Sequence, residues 1–267
     1  KVQPLVPDGL NWPLGLAMDE DGVLFVADGG FTYTVKPGAK LQSAGMLFTP
    51  GFPGYTRGVV AVGSGEYIVT TANGQVSHWT PGKQEHHVLA DGFDQLYGIA
   101  TNSNGAVVFA EKGRGRVLSV ESGNIETLAS YLNEPSGVAI SSNGCFVAEE
   151  GAGRVVKLIK DGAETVLDDL QKPQGIHVEG NLLYVVDAGA KELIEYNLVS
   201  KTRKIIASAL PVGAPSGVTP KFLGAIWVLS GPMGPFADIT QGKDGTLYIS
   251  ADAEGSVLAL RPDLLAS

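Results

Sequence analysis

Arg57, Tyr97, Ser136 and Gln174 share one sequence position: each immediately precedes a glycine, in segments that otherwise resemble one another. A guanidinium at such a position can clamp a carboxylate or stabilise an oxyanion. A phenol can donate a proton or orient a carbonyl. His177 stands two residues after Gly175, where the other segments carry Ala17, Val60, Ala100, Ala139 and Ile239. An imidazole in that column of small apolar residues suits a base or an orienting group. A second set is acidic: Asp28, Glu111, Glu149, Asp187 and Asp252 each close an apolar run, with Thr70 or Thr71 at the corresponding place in the second segment. Carboxylates brought close together push one pKa upward, which makes an acid–base pair or a cation site. Scaffold roles compete with each of these readings. Asp28 and Asp187 can hold a turn by accepting loop amides, a role that the longer Glu111 and Glu149 suit less well. Arg57 can pair with Glu111, and a buried histidine can simply bond a backbone carbonyl.

The elements that must carry these residues form an internal repeat. The small residues that open the segments are Gly15, Gly58, Gly98, Gly137, Gly175 and Ala237, at intervals of 43, 40, 39, 38 and 62. Four of the five intervals lie near the length of a four-stranded propeller blade, about 40 residues. Each segment reads strand, glycine turn, strand, glycine loop, strand; Asp21-Gly22, Asn104-Gly105, Asn143-Gly144 and Asp244-Gly245 are hairpin signals. Third strands are expected at residues 116–118, 154–158 and 256–260, and fourth strands at 126–128 and 164–167. No amphipathic helix is expected. The pattern predicts an all-β, six-bladed propeller of four-stranded antiparallel blades filling residues 1–267 as one domain. The last segment lacks a fourth strand, and Val2-Gln3-Pro4-Leu5-Val6 resembles one. That N-terminal strand is therefore expected to close the ring on blade six and remove its open edge. The long interval holds an insertion, 211–232, expected to form either a lid between blades five and six or a decayed hairpin.

The segments resemble the NHL repeat, in which Pro-x-Gly-Ile-Ala-Val-Asp leads to Asp-Gly and a Tyr-Val-Ala-Asp strand. The best match is Trp12-Pro13-Leu14-Gly15-Leu16-Ala17-Met18-Asp19 with Phe25-Val26-Ala27-Asp28. This unit looks like repeats in the extracellular sensors of bacterial Ser/Thr kinases. The architecture is also similar to gluconolactonase and senescence-marker proteins, strictosidine-synthase-like proteins, streptogramin lyases and the amidating lyase. The gluconolactonase resemblance implies a divalent metal held by Glu, Asn and Asp just before each inner strand. Here those places carry Leu14, Arg57, Tyr97, Ser136, Gln174 and Phe236, so that metal set does not carry over. The streptogramin-lyase resemblance implies a histidine base, which His177 does not match in position.

Composition narrows the partners. The chain has 267 residues, 36 of them glycine, and a net charge of −9, which disfavours the phosphate backbone of a nucleic acid. No apolar run reaches the roughly 18 residues of a membrane span. Cys145 is the one cysteine, so no internal disulfide can form. The chain begins at Lys1 without Met or an apolar leader. That start is expected of a mature form or an excised domain, with an exported location favoured. In such a ring the loops entering the inner strands and those after the second strands meet at one mouth of the channel. The expectation is a single pocket there, in which Arg57, Tyr97, Glu149 and His177 are catalytic and Trp12, Glu111, Ser136, Gln174 and Asp187 bind substrate. The function expected is a hydrolase or lyase for an ester- or lactone-like small molecule. No cofactor is expected, although the acidic mouth leaves room for a divalent cation. The competing reading is an NHL sensor that binds a ligand or protein without catalysis.

Overall fold

The computed structural model describes residues 2–213 and 234–261. Within them lie six antiparallel sheets of four strands each. Blade one holds β2 (Leu16–Met18), β3 (Leu24–Asp28), β4 (Phe31–Val35) and β5 (Gln42–Met46). Blade two holds β6 (Thr56–Gly63), β7 (Glu66–Thr71), β8 (Val76–Thr80) and β9 (Glu85–Ala90). Blade three runs from β10 (Leu96–Thr101) through β11 (Val107–Glu111) and β12 (Arg116–Glu121) to β13 (Asn124–Ala129). Blade four comprises β14 (Pro135–Ser141), β15 (Gly144–Glu149), β16 (Arg154–Ile159) and β17 (Gly162–Leu167). Blade five comprises β18 (Pro173–Glu179), β19 (Leu182–Asp187), β20 (Glu192–Asn197) and β21 (Arg203–Ala207). Blade six takes β22 (Ile239–Gln241), β23 (Leu247–Ala251) and β24 (Ser256–Leu260) from the end of the chain, and β1 (Gln3–Val6) from its start. Strand β1 pairs antiparallel with β24, Gln3 opposite Ala259 and Pro4 opposite Leu258. The ring is thus closed by the N-terminal strand, as the missing fourth strand of the last repeat predicts. The helices described are three single 3₁₀ turns, at Pro81–Lys83, Lys112–Arg114 and Glu150–Ala152. The insertion expected at 211–232 falls almost wholly outside the described residues.

Alternating apolar residues on both faces of each blade bury against the neighbouring blades. Six clusters result, one at each seam: for example Phe25, Tyr67 and Trp79 between blades one and two, and Val6, Leu24 and Val257 across the closure. A seventh cluster, Trp12, Leu14, Tyr55, Ala72, Tyr97 and Phe236, lies at the mouth. The repeated glycine has a steric cause. A Cβ on Gly15 would overlap the carbonyl oxygen of Arg57 in the next inner strand, and one on Gly98 would lie 2.6 Å from Ser136 O. Inner strands can approach this closely only where no side chain intervenes. The last junction is built differently. Blade six carries Ala237, and the next residue, Asp238, reaches across to blade one and accepts Leu16 N–H at 3.0 Å.

Candidate functional site

The acids that end the second strands hold loops. Each accepts backbone N–H groups from the loop entering its own blade: Asp187 from Gln171 and Lys172, both at 2.8 Å, Glu111 from Asp94 at 2.8 Å, and Glu149 from Asn133 at 2.7 Å. Asp28 takes Asn11 and Trp12 N–H, and Asp252 takes Gly213 N–H. The two glutamates use their extra length for a second task. Glu111 also pairs with Arg114 and Arg116, and Glu149 with Arg154. Arg116 and Arg154 lie directly across the ladder from these glutamates. The Glu-for-Asp exchange therefore accompanies an arginine five residues later, a signal present in the sequence. Glu111 is committed to these partners rather than to Arg57. Among the described residues, no group of three or more His, Cys, Asp or Glu is placed to hold a metal.

The mouth itself is built from aromatics and cations. Arg57 is fully buried, its Nη1 donating to Leu96 O at 2.7 Å. Its guanidinium carbon lies 4.3 Å from the centre of the Tyr97 ring, and Lys112 Nζ lies 5.1 Å from the same ring. Phe236 and Tyr97 meet in a T-shaped contact, and Tyr97 Oη abuts the backbone of Gly234. Two donors in the same apolar cluster, Trp12 Nε1 and Tyr55 Oη, are buried with no hydrogen-bond partner among the described residues. A buried donor left unpaired costs about 1–3 kcal/mol, so their position asks for an acceptor. Lys112 bonds Glu134 and Glu150, both at 3.1 Å, and Lys172 bonds Glu150 at 3.0 Å. Burial works to lower the Lys112 pKa, but Tyr97 and Glu150 beside it hold the ammonium above its ordinary value. Burial lowers the Arg57 pKa, with Tyr97 opposing.

Ser136 and Gln174 are spent on the scaffold. Ser136 Oγ donates to Pro173 O at 3.1 Å, and Gln174 Oε1 accepts Ala237 N–H at 2.8 Å. Arg57, Tyr97 and Trp12 come together at the mouth, whereas Glu111, Glu149 and Asp187 face their own loops. His177 does not join them. It lies further along β18, towards the hairpin, with Nε2 3.2 Å from Gln241 Oε1 in blade six. Strand alternation explains this: Ile176 and Val178 face blade four, so His177 faces the seam with blade six. Burial lowers its pKa.

His177 instead lines a cavity of about 230 Å³ inside the channel, formed by the residues that follow the opening glycines. Asp238 shares that cavity. Its carboxylate accepts Leu16 and Ile239 N–H, yet enclosure by the ring raises its pKa to about 7. Asp238 is not among the site residues expected from sequence, although it interrupts the apolar column Leu16, Val59, Ile99, Val138 and Ile176. Lys112 and Glu150 were also missed; their signal is opposite charge at one repeat position in adjacent blades.

No protein-family model matches this sequence, and no curated protein sequence does. Solved structures do match. A streptogramin B lyase is 14% identical with a TM-score of 0.66, covering 97% of this chain and 96% of that one. A gluconolactonase of Xanthomonas campestris is 12% identical with a TM-score of 0.70, covering 97% and 89%. A PQQ-bound aldose sugar dehydrogenase of Streptomyces coelicolor is 13% identical with a TM-score of 0.72, covering 98% of each chain. At such identities these likenesses establish the six-bladed fold, which hosts several chemistries.

Proposed function

We propose that this propeller is a small-molecule hydrolase or lyase that works at the channel mouth on an ester- or lactone-like substrate. One observation carries the reading: buried hydrogen-bond donors and cations are gathered around one aromatic cluster at the mouth. Among the described residues Trp12 Nε1 and Tyr55 Oη are unpaired in the aromatic cluster that also holds Tyr97, and Arg57 and Lys112 sit over the Tyr97 ring. Such a combination of groups suits an acceptor-rich molecule with apolar faces. Arg57 and Lys112 would stabilise charge developing on a carbonyl oxygen, and Tyr97 would give or take the proton. Lys172 and Lys112 keep Glu150 oriented beside them. The proton role falls to Tyr97 rather than Glu149, whose oxygens serve Asn133 and Arg154. The neighbours include a virginiamycin B lyase solved with quinupristin and a gluconolactonase, which makes lyase and lactonase chemistry the first classes to assay.

Binding without catalysis is favoured by a different observation. The acids Glu111, Glu149 and Asp187 are committed to amides and arginines, which leaves none of these three as a general base. A panel of lactones and aryl esters separates the two readings. Catalysis predicts turnover that falls by about 10²-fold or more in Tyr97→Phe, with an unaltered melting temperature. Turnover that survives Tyr97→Phe refutes the assigned role. No turnover of any panel member, with saturable binding of the same compounds, decides for the sensor.

A further inference from the structure

The central channel is divided in two. Tyr97 belongs to blade three and Phe236 enters blade six, and these blades stand opposite each other in the ring. Their side chains nevertheless touch, with ring centres 5.7 Å apart, and Leu14 at the entry to blade one joins the same buried cluster. Aromatic and apolar groups therefore close the channel at the level of the residues that precede the opening glycines. The cavity of about 230 Å³ lies beyond that level. Its lining runs to Met18, Ala61, Thr101, Ile140 and Thr240, which are half-buried and lead into the hairpins. Access is thus from the hairpin face of the ring rather than from the mouth.

Asp238 is the first residue of blade six to line this cavity, so it stands at the closed end. Its backbone is committed to Ser250: the N–H donates to Ser250 Oγ at 2.7 Å, and the carbonyl accepts Ser250 N–H at 3.1 Å. Asp238 is nonetheless only half-buried, which leaves its side chain as the group open to the cavity. Oδ1 accepts Ile239 N–H at 2.9 Å and Oδ2 accepts Leu16 N–H at 3.0 Å. Each carboxylate oxygen can accept two hydrogen bonds, so half of that capacity stays unused. Among the described residues no cation pairs with this carboxylate, and His177 is the other titratable side chain that lines the cavity. An enclosed carboxylate calls for a counter-charge and for donors to its remaining lone pairs. Each inner strand pairs only with the second strand of its own blade, so its free edge adds backbone carbonyls to the wall. We propose that the cavity binds a small primary alkylammonium ion, with the ammonium on the Asp238 carboxylate and the alkyl chain running along the channel towards the hairpin face. Size agrees with the assignment. A sealed apolar cavity of roughly 150 Å³ accommodates benzene, so this one has room for a short alkyl chain as well as its charged head. Met18 and Ile140 supply apolar contact near the opening. The site is independent of the chemistry proposed at the mouth.

Butylammonium chloride and 1-butanol test the assignment, being alike in shape but different in charge. The readout is the pair of ¹H–¹⁵N amide signals of Leu16 and Ile239, the two groups that donate to Asp238, in the full chain. Salt at about 150 mM screens the acids of the outer surface. At pH 8 butylammonium is expected to move both signals saturably, and butanol at the same concentrations to leave them in place. Burial raises the Asp238 pKa to about 7, so affinity should fall about tenfold from pH 8 to pH 6 as the carboxylate takes up a proton. Burial lowers the pKa of His177, so His177→Gln should retain that fall. Asp238→Asn should weaken binding at least about tenfold and remove the pH dependence. Should Asp238→Asn fail to fold, the wild-type pH series and the butanol comparison still decide. An equal response to butanol, or an affinity that does not change between pH 8 and pH 6, overturns the proposal. So does calcium chloride that moves the same two signals and excludes butylammonium, which would make the cavity a metal site.

Discussion

Replacing Asp238 with asparagine should flatten the pH dependence of stability between about pH 4 and pH 7. Asp238 joins the last blade to the first, taking Leu16 N–H and Ile239 N–H on its two oxygens. Burial in the channel lifts its pKa from 3.8 to about 7 against the pull of those amides. Between these values the folded protein holds a proton that the unfolded chain has released. Its contribution to stability is therefore complete below pH 3.8 and is lost as the pH rises through about 7. At about 1.4 kcal/mol per pKa unit the full shift is worth somewhat more than 4 kcal/mol, and with the channel open to solvent the loss is taken as about 2–4 kcal/mol. Asparagine cannot ionise, so this slope disappears. Its amide must face one of the two N–H donors, which costs about 1–3 kcal/mol at every pH. The informative quantity is consequently the difference between the two proteins across pH, obtained from urea melts at intervals from pH 4.5 to 8. His177 lines the same cavity with a lowered pKa and acts in the opposite sense, but it is common to both proteins and cancels. Wild type should lose about 2–4 kcal/mol relative to Asp238→Asn over this range. A difference constant within about 0.5 kcal/mol would show that Asp238 ionises as freely as in the unfolded chain, and the reasoning would fail.

Removing residues 1–6 strips β1 from β24 and exposes that edge, so chemical denaturation should show a loss of several kcal/mol. A Cβ at Gly137 would overlap Gln174 O, so Gly137→Ala should lower stability by about 3 kcal/mol or more, read from the shift in urea midpoint. Burial pushes the Cys145 thiol up to about 12, so iodoacetamide at pH 8 should leave it unmodified over a time that fully alkylates a free peptide cysteine, as mass spectrometry would show.

Repeat spacing, hairpin signals and the missing fourth strand were enough to specify six blades and their closure. Each is a local property: turn chemistry sets the hairpins, alternation sets the faces, and an unpaired edge demands a partner. The glycine column was equally legible, though its cause is tertiary, because only adjacent inner strands in contact reveal why a Cβ is excluded at Gly15 or Gly98. Side-chain direction was not legible in the same way. Arg57 and Tyr97 meet at the mouth because each stands at the start of an inner strand, and Trp12 joins them from the loop that enters the first one. Glu111 and Glu149 turn away because a cross-strand arginine and a loop amide claim their oxygens. His177 falls on the odd side of an alternating strand and so belongs to a seam. Asp238 is polar in an apolar column, and sequence could flag it. Its pKa depends on how the closed ring walls it off from bulk water, and only the assembled propeller provides that enclosure.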